Sequence, residues 1–198
     1  SHSGYFHQEV RKGHEAYNKE LPGGVDTYDY VAQGWGWAQN APFRRYKVWT
    51  HEGGISTPMI ARWPRVVRPG SVSHQVGHVV DFMPTLLELT GAAYPEQRDG
   101  VAVLPTDGIS LVPVFEGKER EGHESLCWFL YGNRAVRQGR WKLVWGSNVK
   151  KWELYDMSVD RTETNDLAAM QRDRVKRMAA DWVRWAKETG APLKGNGI

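Results

Sequence analysis

Only one cysteine, Cys127, occurs among the 198 residues, so neither an internal disulfide framework nor a multi-cysteine zinc site can be built from this chain. A lone cysteine also carries no information on compartment. Excess charge is scarce as well: 26 Lys and Arg against 23 Asp and Glu leave +3, without a block of like charge, which gives no ground for a nucleic-acid partner. Long apolar runs are missing. Even Val79 to Leu89 is broken by Asp81, Pro84 and Thr85, so no membrane span is expected. Ser1 to Glu9 shows no positive region followed by an apolar one, and no signal peptide is expected there. That opening also lacks a helix cap or a strand pattern and reads as a cut through a larger protein. Internal repeats and low-complexity segments are absent.

What the chain does have is 40% hydrophobic and 25% charged residues over a length sufficient for a sizeable core, which excludes a disordered tail. It also has 10 Trp, with 21 Gly and 10 Pro beside them. Tryptophans at that density can build a core, an interface or a platform for a flat ligand, and only their positions can decide. Residues 1 to about 45 sustain neither a strand nor a helix period, and Pro22-Gly23-Gly24 and Gly34-Trp35-Gly36-Trp37 read as turns in a long aromatic loop with room for a short helix. Thr57 to Pro64 predicts one short buried strand closed by a proline. Asp81 to Gly91, with Pro84 in the first turn and Gly91 past the end, predicts a short helix with Phe82, Leu86 and Leu89 on one face. Residues 96 to 124 read as a connector, with a short helix around Ser110 to Phe115.

From Leu126 the pattern changes to a meander, Leu126 to Tyr131, Arg134 to Arg137, Trp141 to Trp145 and Trp152 to Tyr155, divided by glycine-bearing turns. The alternation in Trp141-Lys142-Leu143-Val144-Trp145 predicts an antiparallel sheet with one wet face. Leu167 to Thr189 carries apolar residues at intervals of three, four and five and ends at Gly190, which predicts an amphipathic helix lying across that sheet and burying Trp182 and Trp185.

Three groups could carry chemistry. Cys127 sits in the apolar run Leu126-Cys127-Trp128-Phe129, where a thiol is poorly accessible and has a raised pKa, so it reads as structural. His74, His78 and Asp81 have a spacing that suits metal ligands on one helix face, but Gly77 and the lack of a further ligand favour capping or packing. The stretch Pro42 to Ile55 places Arg44, Arg45, Lys47 and His51 before Glu52-Gly53-Gly54. It reads either as an anion-binding loop, with a lysine point charge and a histidine donor, or as a solvated basic loop.

The ordered series Trp35-Gly36-Trp37-Ala38, Asn40-Ala41-Pro42-Phe43-Arg44, Lys47, His51-Glu52-Gly53-Gly54-Ile55, Thr57-Pro58, Trp63-Pro64, Asp81, Pro84-Thr85-Leu86-Leu87, Gly132-Asn133-Arg134-Ala135-Val136-Arg137, Trp141-Lys142-Leu143-Val144 and Glu153-Leu154-Tyr155-Asp156 resembles the carboxy-terminal part of the arylsulfatase family, within the alkaline phosphatase-like superfamily. The resemblance implies an α/β fold. Residues 1–95 would close the large catalytic domain, 96–124 would connect, and 125–198 would form a small four-stranded antiparallel sheet packed on one long helix. It further implies hydrolysis of sulfate esters, aryl or carbohydrate, by a formylglycine nucleophile with calcium. The C/S-x-P-x-R motif and the metal-binding Asp-Asn pair do not occur in this chain, and Ser56-Thr57-Pro58-Met59-Ile60 has Ile60 where arginine is needed.

By that resemblance Lys47 is the catalytic residue that holds a sulfate oxygen and the bridging ester oxygen, and His51 lines the substrate pocket or packs beside it; the Trp and Tyr content of the loop Tyr28 to Trp37 and its closeness in sequence to Lys47 point to it as a border of the entrance. No metal ligand is assigned here, and the chain by itself is expected to be inactive. Its partner would be the remainder of a sulfatase chain. Without that remainder, Ile60, Trp63, Phe82 and Leu86 would expose apolar surface and favour self-association. Two other readings stay open: a non-catalytic anion-binding or assembly module, and part of a related phosphatase or phosphonate hydrolase.

Overall fold

The structure, a computed structural model, describes residues 33–193. The turn Pro22-Gly23-Gly24 and the aromatic residues Tyr28 and Tyr30 lie outside the described residues. In chain order the elements are α1 (Gln33–Asn40), α2 (Glu52–Ile55), a 3-10 turn (Val79–Asp81) leading into α3 (Phe82–Thr90), β1 (Gln97–Arg98), β2 (Val101–Ala102), α4 (Val112–Phe115), β3 (Leu126–Leu130), β4 (Asn133–Gln138), β5 (Trp141–Trp145), β6 (Trp152–Asp156) and α5 (Arg172–Thr189).

The chain divides into two units, one made of residues up to Thr57 together with Ser125 onward, the other Pro58–Glu124. This partition differs from the expected 1–95, 96–124 and 125–198. The segment around Lys47 belongs with the carboxy-terminal sheet, and the expected connector belongs with the residues just before it.

In the first unit β3-β4-β5-β6 form an antiparallel sheet in sequence order. Its register pairs Leu130 with Asn133 and Gln138 with Trp141, which leaves two-residue turns at Tyr131-Gly132 and Gly139-Arg140. One face carries Val136, Leu143 and Leu154, on which α5 lays Met178, Trp182 and Ala186. Trp182 is fully buried, and its indole Nε1 donates to the Trp128 carbonyl at 3.0 Å, so the largest apolar group in the core also satisfies its one donor. The helix stops where Gly190 turns left-handed at φ 72°. It starts at Arg172 rather than Leu167, because Leu167 N donates to the Leu154 carbonyl and Asp166 Oδ1 accepts from Leu154 N and Ala168 N, which ties this stretch to the edge of the sheet.

The other face is not wet, contrary to the alternation. Ala135, Val144, Tyr155 and Met157 form a second apolar cluster there, and Lys142 is fully buried. The cover on that side comes from sequence-distant residues in the 44–52 and 161–163 stretches. Gly34 to Trp37 is likewise helical rather than a turn: Gly36 is buried against the Tyr46 ring and Asn40 Nδ2 donates to the Gly36 carbonyl at 2.6 Å, so packing overrides the low helix propensity of two glycines.

In the second unit Asp81 is fully buried and organises the entry to α3. Its carboxylate accepts from the N–H groups of His78 and Ile109 at 2.8 and 2.9 Å, from Arg120 at 2.9 Å and from His123 at 2.6 Å. The expected strand Thr57 to Pro64 is absent. Met59 is 52% and Ile60 94% exposed, and among the described residues no strand lies alongside to supply the ladder hydrogen bonds that a strand requires. Phe82, Leu86 and Leu89 of α3 are also exposed. No helix among the described residues is long and apolar enough to cross a membrane.

Candidate active-site loop

The basic stretch separates into three environments. Arg44 turns toward the sheet, where its Nη1 donates to Tyr155 Oη at 2.6 Å, to Glu153 Oε2 at 3.1 Å and to the Glu163 carbonyl at 3.4 Å. Arg45 lies between two indoles, 4.3 Å from the Trp49 ring centre and 5.7 Å from that of Trp37. Burial and the neighbouring Arg44 charge lower its pKa. Lys47 is exposed and forms no ion pair among the described residues.

The backbone that presents Lys47 is bent through left-handed conformations at Arg45 (φ 70°) and Val48 (φ 88°). It is pressed against α2, whose glycines make the approach possible: a Cβ on Gly53 would meet the carbonyls of Arg44 and Arg45, and one on Gly54 those of Tyr46 and Trp49. Gly53 N in turn donates to the Arg44 carbonyl at 2.9 Å.

His51 is 1% exposed. Its Nε2 lies 3.3 Å from Glu153 Oε2, and because a carboxylate only accepts, Nε2 carries the proton. The hydrogen bond from His51, together with the Arg44 charge, holds the Glu153 carboxyl down at about 2 against the opposing effect of burial. Beside it stands a buried charge cluster: Lys142 Nζ contacts Glu52 Oε1 at 2.7 Å and Glu163 Oε1 at 2.9 Å, and Glu163 Oε2 accepts from Glu52 N at 2.9 Å. Burial pushes the Glu52 carboxyl up, but Lys142 outweighs it and the net shift is downward. The two expected site residues thus part company, Lys47 at the solvent and His51 inside the sheet's polar layer.

Other candidates are structural. His78 Nδ1 accepts from Val80 N at 3.4 Å at the start of the 3-10 turn, a capping role. Cys127 has its thiol pushed up to about 11 by burial, which suppresses the thiolate needed for nucleophilic work. Among the described residues no group of three or more His, Cys, Asp or Glu is placed to hold a metal ion. Sequence reasoning did not single out the residues that hold the loop, Thr50, Asn133, Lys142, Glu153, Tyr155 and Glu163. Four of these lay inside motifs quoted for the resemblance, but nothing local marked their function.

Fold and loop together define an α+β module whose own sheet clamps a lysine-bearing loop. A family profile described as "N-sulphoglucosamine sulphohydrolase, C-terminal" matches residues 43–183, and the chain belongs to that sulfatase family as a carboxy-terminal portion. It is 32% identical over 174 residues to an uncharacterized sulfatase of Schizosaccharomyces pombe, covering 85% of this chain and 31% of that protein. It is 32% identical over 121 residues to N-acetylgalactosamine-6-sulfatase of Canis lupus familiaris, covering 61% of this chain and 22% of that one. The solved structure of Ps i-CgsB superposes with a TM-score of 0.63 at 23% identity, over 80% of this chain and 35% of that one, a likeness of fold. The chain therefore spans about a third or less of the length of these relatives.

Proposed function

We propose that this chain is the part of a sulfuric ester hydrolase that supplies Lys47 to the site where a carbohydrate sulfate ester is cleaved. The observation that carries the reading is the contrast within the basic loop. Arg44 is tied into the sheet and Arg45 is stacked between indoles, whereas the Lys47 ammonium faces solvent from a backbone held on both sides. Three N–H donors on one mobile cation suit a sulfate oxygen and the ester's bridging oxygen, where negative charge grows as the alcohol departs. His51, one residue before the Glu52 turn, would support the pocket wall from inside.

The formylglycine and calcium that such hydrolysis uses would come from other parts of a longer protein, whose remaining residues would also cover the apolar surface of Ile60, Phe82 and Leu86. The carbohydrate class is supported by the names of the family and of the N-acetylgalactosamine-6-sulfatase relative. The test is release of sulfate by the intact protein from N-acetylgalactosamine 6-sulfate and from 4-nitrophenyl sulfate, with 4-nitrophenyl phosphate in parallel. Sulfate release with preference for the sugar is expected. Phosphate release without sulfate release would move the chain to the phosphatase reading, and no release from any ester would leave a binding module.

A further inference from the structure

Lys47 lies between two residues in left-handed backbone conformations. For Val48, a β-branched residue at φ 88°, this costs on the order of 1–3 kcal/mol, so the surrounding structure must hold it there. The carboxy-terminal sheet does so. Asn133, the first residue of β4 and 1% exposed, donates from Nδ2 to the Val48 carbonyl at 3.1 Å. Its Oδ1 accepts from Ser147 N at 3.0 Å, which fixes the end of the amide that faces Val48. One residue along the strand, the Arg134 carbonyl accepts from the hydroxyl of Thr50, itself 2% exposed, at 2.9 Å. Upstream, Arg44 is fixed to Glu153 and Tyr155 of β6. Lys47 thus projects from a short arch whose ends are tethered to two strands of the sheet.

We infer that Asn133 is a positioning residue for sulfate-ester hydrolysis: its amide clamps the Val48 carbonyl and so sets the direction in which the Lys47 ammonium is presented, with Thr50 as a second clamp. The inference rests on the assignment of Lys47 to the site. Asn133 is enclosed and does not itself reach solvent, so it acts only through the loop. The clamp needs a donor toward Val48 and an acceptor toward Ser147. An aspartate has the same shape but can only accept when ionised, and alanine supplies neither.

The experiment measures kcat and KM of the intact sulfatase on 4-nitrophenyl sulfate for Asn133→Ala, Asn133→Asp, Thr50→Val and Lys47→Ala, and for Asn133→Ala and Thr50→Val each combined with Lys47→Ala. A displacement of about 1 Å at a catalytic group can cost up to ~100-fold, so the Asn133 variants should lose roughly tenfold or more in kcat with a smaller change in KM. Because Asn133 acts through Lys47, adding Asn133→Ala to Lys47→Ala should cost less than about twofold more. An equal loss in both backgrounds overturns the clamp and leaves Asn133 a general stability residue. Wild-type turnover in Asn133→Ala alongside a disabled Lys47→Ala overturns the clamp while the Lys47 assignment stands. Unchanged turnover in Lys47→Ala removes both. Thr50→Val is close to isosteric, and its cycle with Lys47→Ala decides by the same criteria should the Asn133 variants fail to fold.

Discussion

Replacing Lys142 by methionine keeps most of the side-chain volume and removes the one cation that, among the described residues, pairs with both Glu52 and Glu163. The two carboxylates that remain are 4% and 0% exposed, too enclosed for water to substitute for the ammonium. Removing one partner of a buried ion pair costs about 3–5 kcal/mol, chiefly because the surviving charge stays desolvated, whereas removing an exposed partner costs about 0–1 kcal/mol. Arg140, 57% exposed and paired with Asp156, provides the exposed control on the same sheet. With an m-value of roughly 2 kcal/mol per molar urea, Lys142→Met should lower the urea midpoint by about 1.5–2.5 M, and Arg140→Met by less than about 0.5 M. Tryptophan fluorescence suits the assay, because Trp152, Trp182 and Trp185 pack at the core of the same unit. The triple change Glu52→Gln, Lys142→Met and Glu163→Gln removes every charge in the triad and should recover most of the loss. Since burial alone pushes the Glu52 carboxyl up, the penalty of the single variant should also shrink as the pH falls. A Lys142→Met midpoint within experimental error of the Arg140→Met midpoint would refute the buried-triad reasoning.

Two further predictions concern the same unit. Glu153 is held at about 2 against an ordinary 4.5; a depressed folded pKa contributes stability above the unfolded value that is lost as pH falls through the folded one. Unfolding free energy should therefore decline between about pH 4.5 and pH 2 by up to ~3 kcal/mol from this group, a slope that Glu153→Gln should flatten in acid titrations of urea midpoints. Gly53→Ala would drive a methyl group into backbone carbonyls and should destabilise by about 1–3 kcal/mol. Gly34→Ala on α1, where the added methyl meets open space, should stabilise by about 0.5–1 kcal/mol, and paired thermal unfolding would show whether the signs differ.

The sheet and its helix were legible because their signals are local. Glycine turns, strand-length runs and the spacing of Met178, Trp182 and Ala186 each lie within a few residues of one another. Lys142 was not legible. Its alternation assigned it to a wet face, and the groups that neutralise it, Glu52 and Glu163, lie 90 residues before it and well beyond the next strand. The segment from Thr57 to Pro64 failed in the opposite way: its composition suits a strand, but a strand exists only beside a neighbour. Lys47 could be picked out by its resemblance to a motif. The hydrogen bonds of Asn133 and Thr50 around its loop span 85 and 84 residues, which no pattern in the sequence displays.

The central claim, that this chain contributes Lys47 to a sulfate-ester site, is tested most directly by Lys47→Ala in the intact protein, with turnover of a sulfate ester and thermal midpoint measured on the same preparation. Because Lys47 is exposed and outside the ion-pair network, the midpoint should stay unchanged while kcat falls by about 10²–10³-fold, the scale of losing one donor to developing charge. Wild-type kcat in that variant would contradict the account.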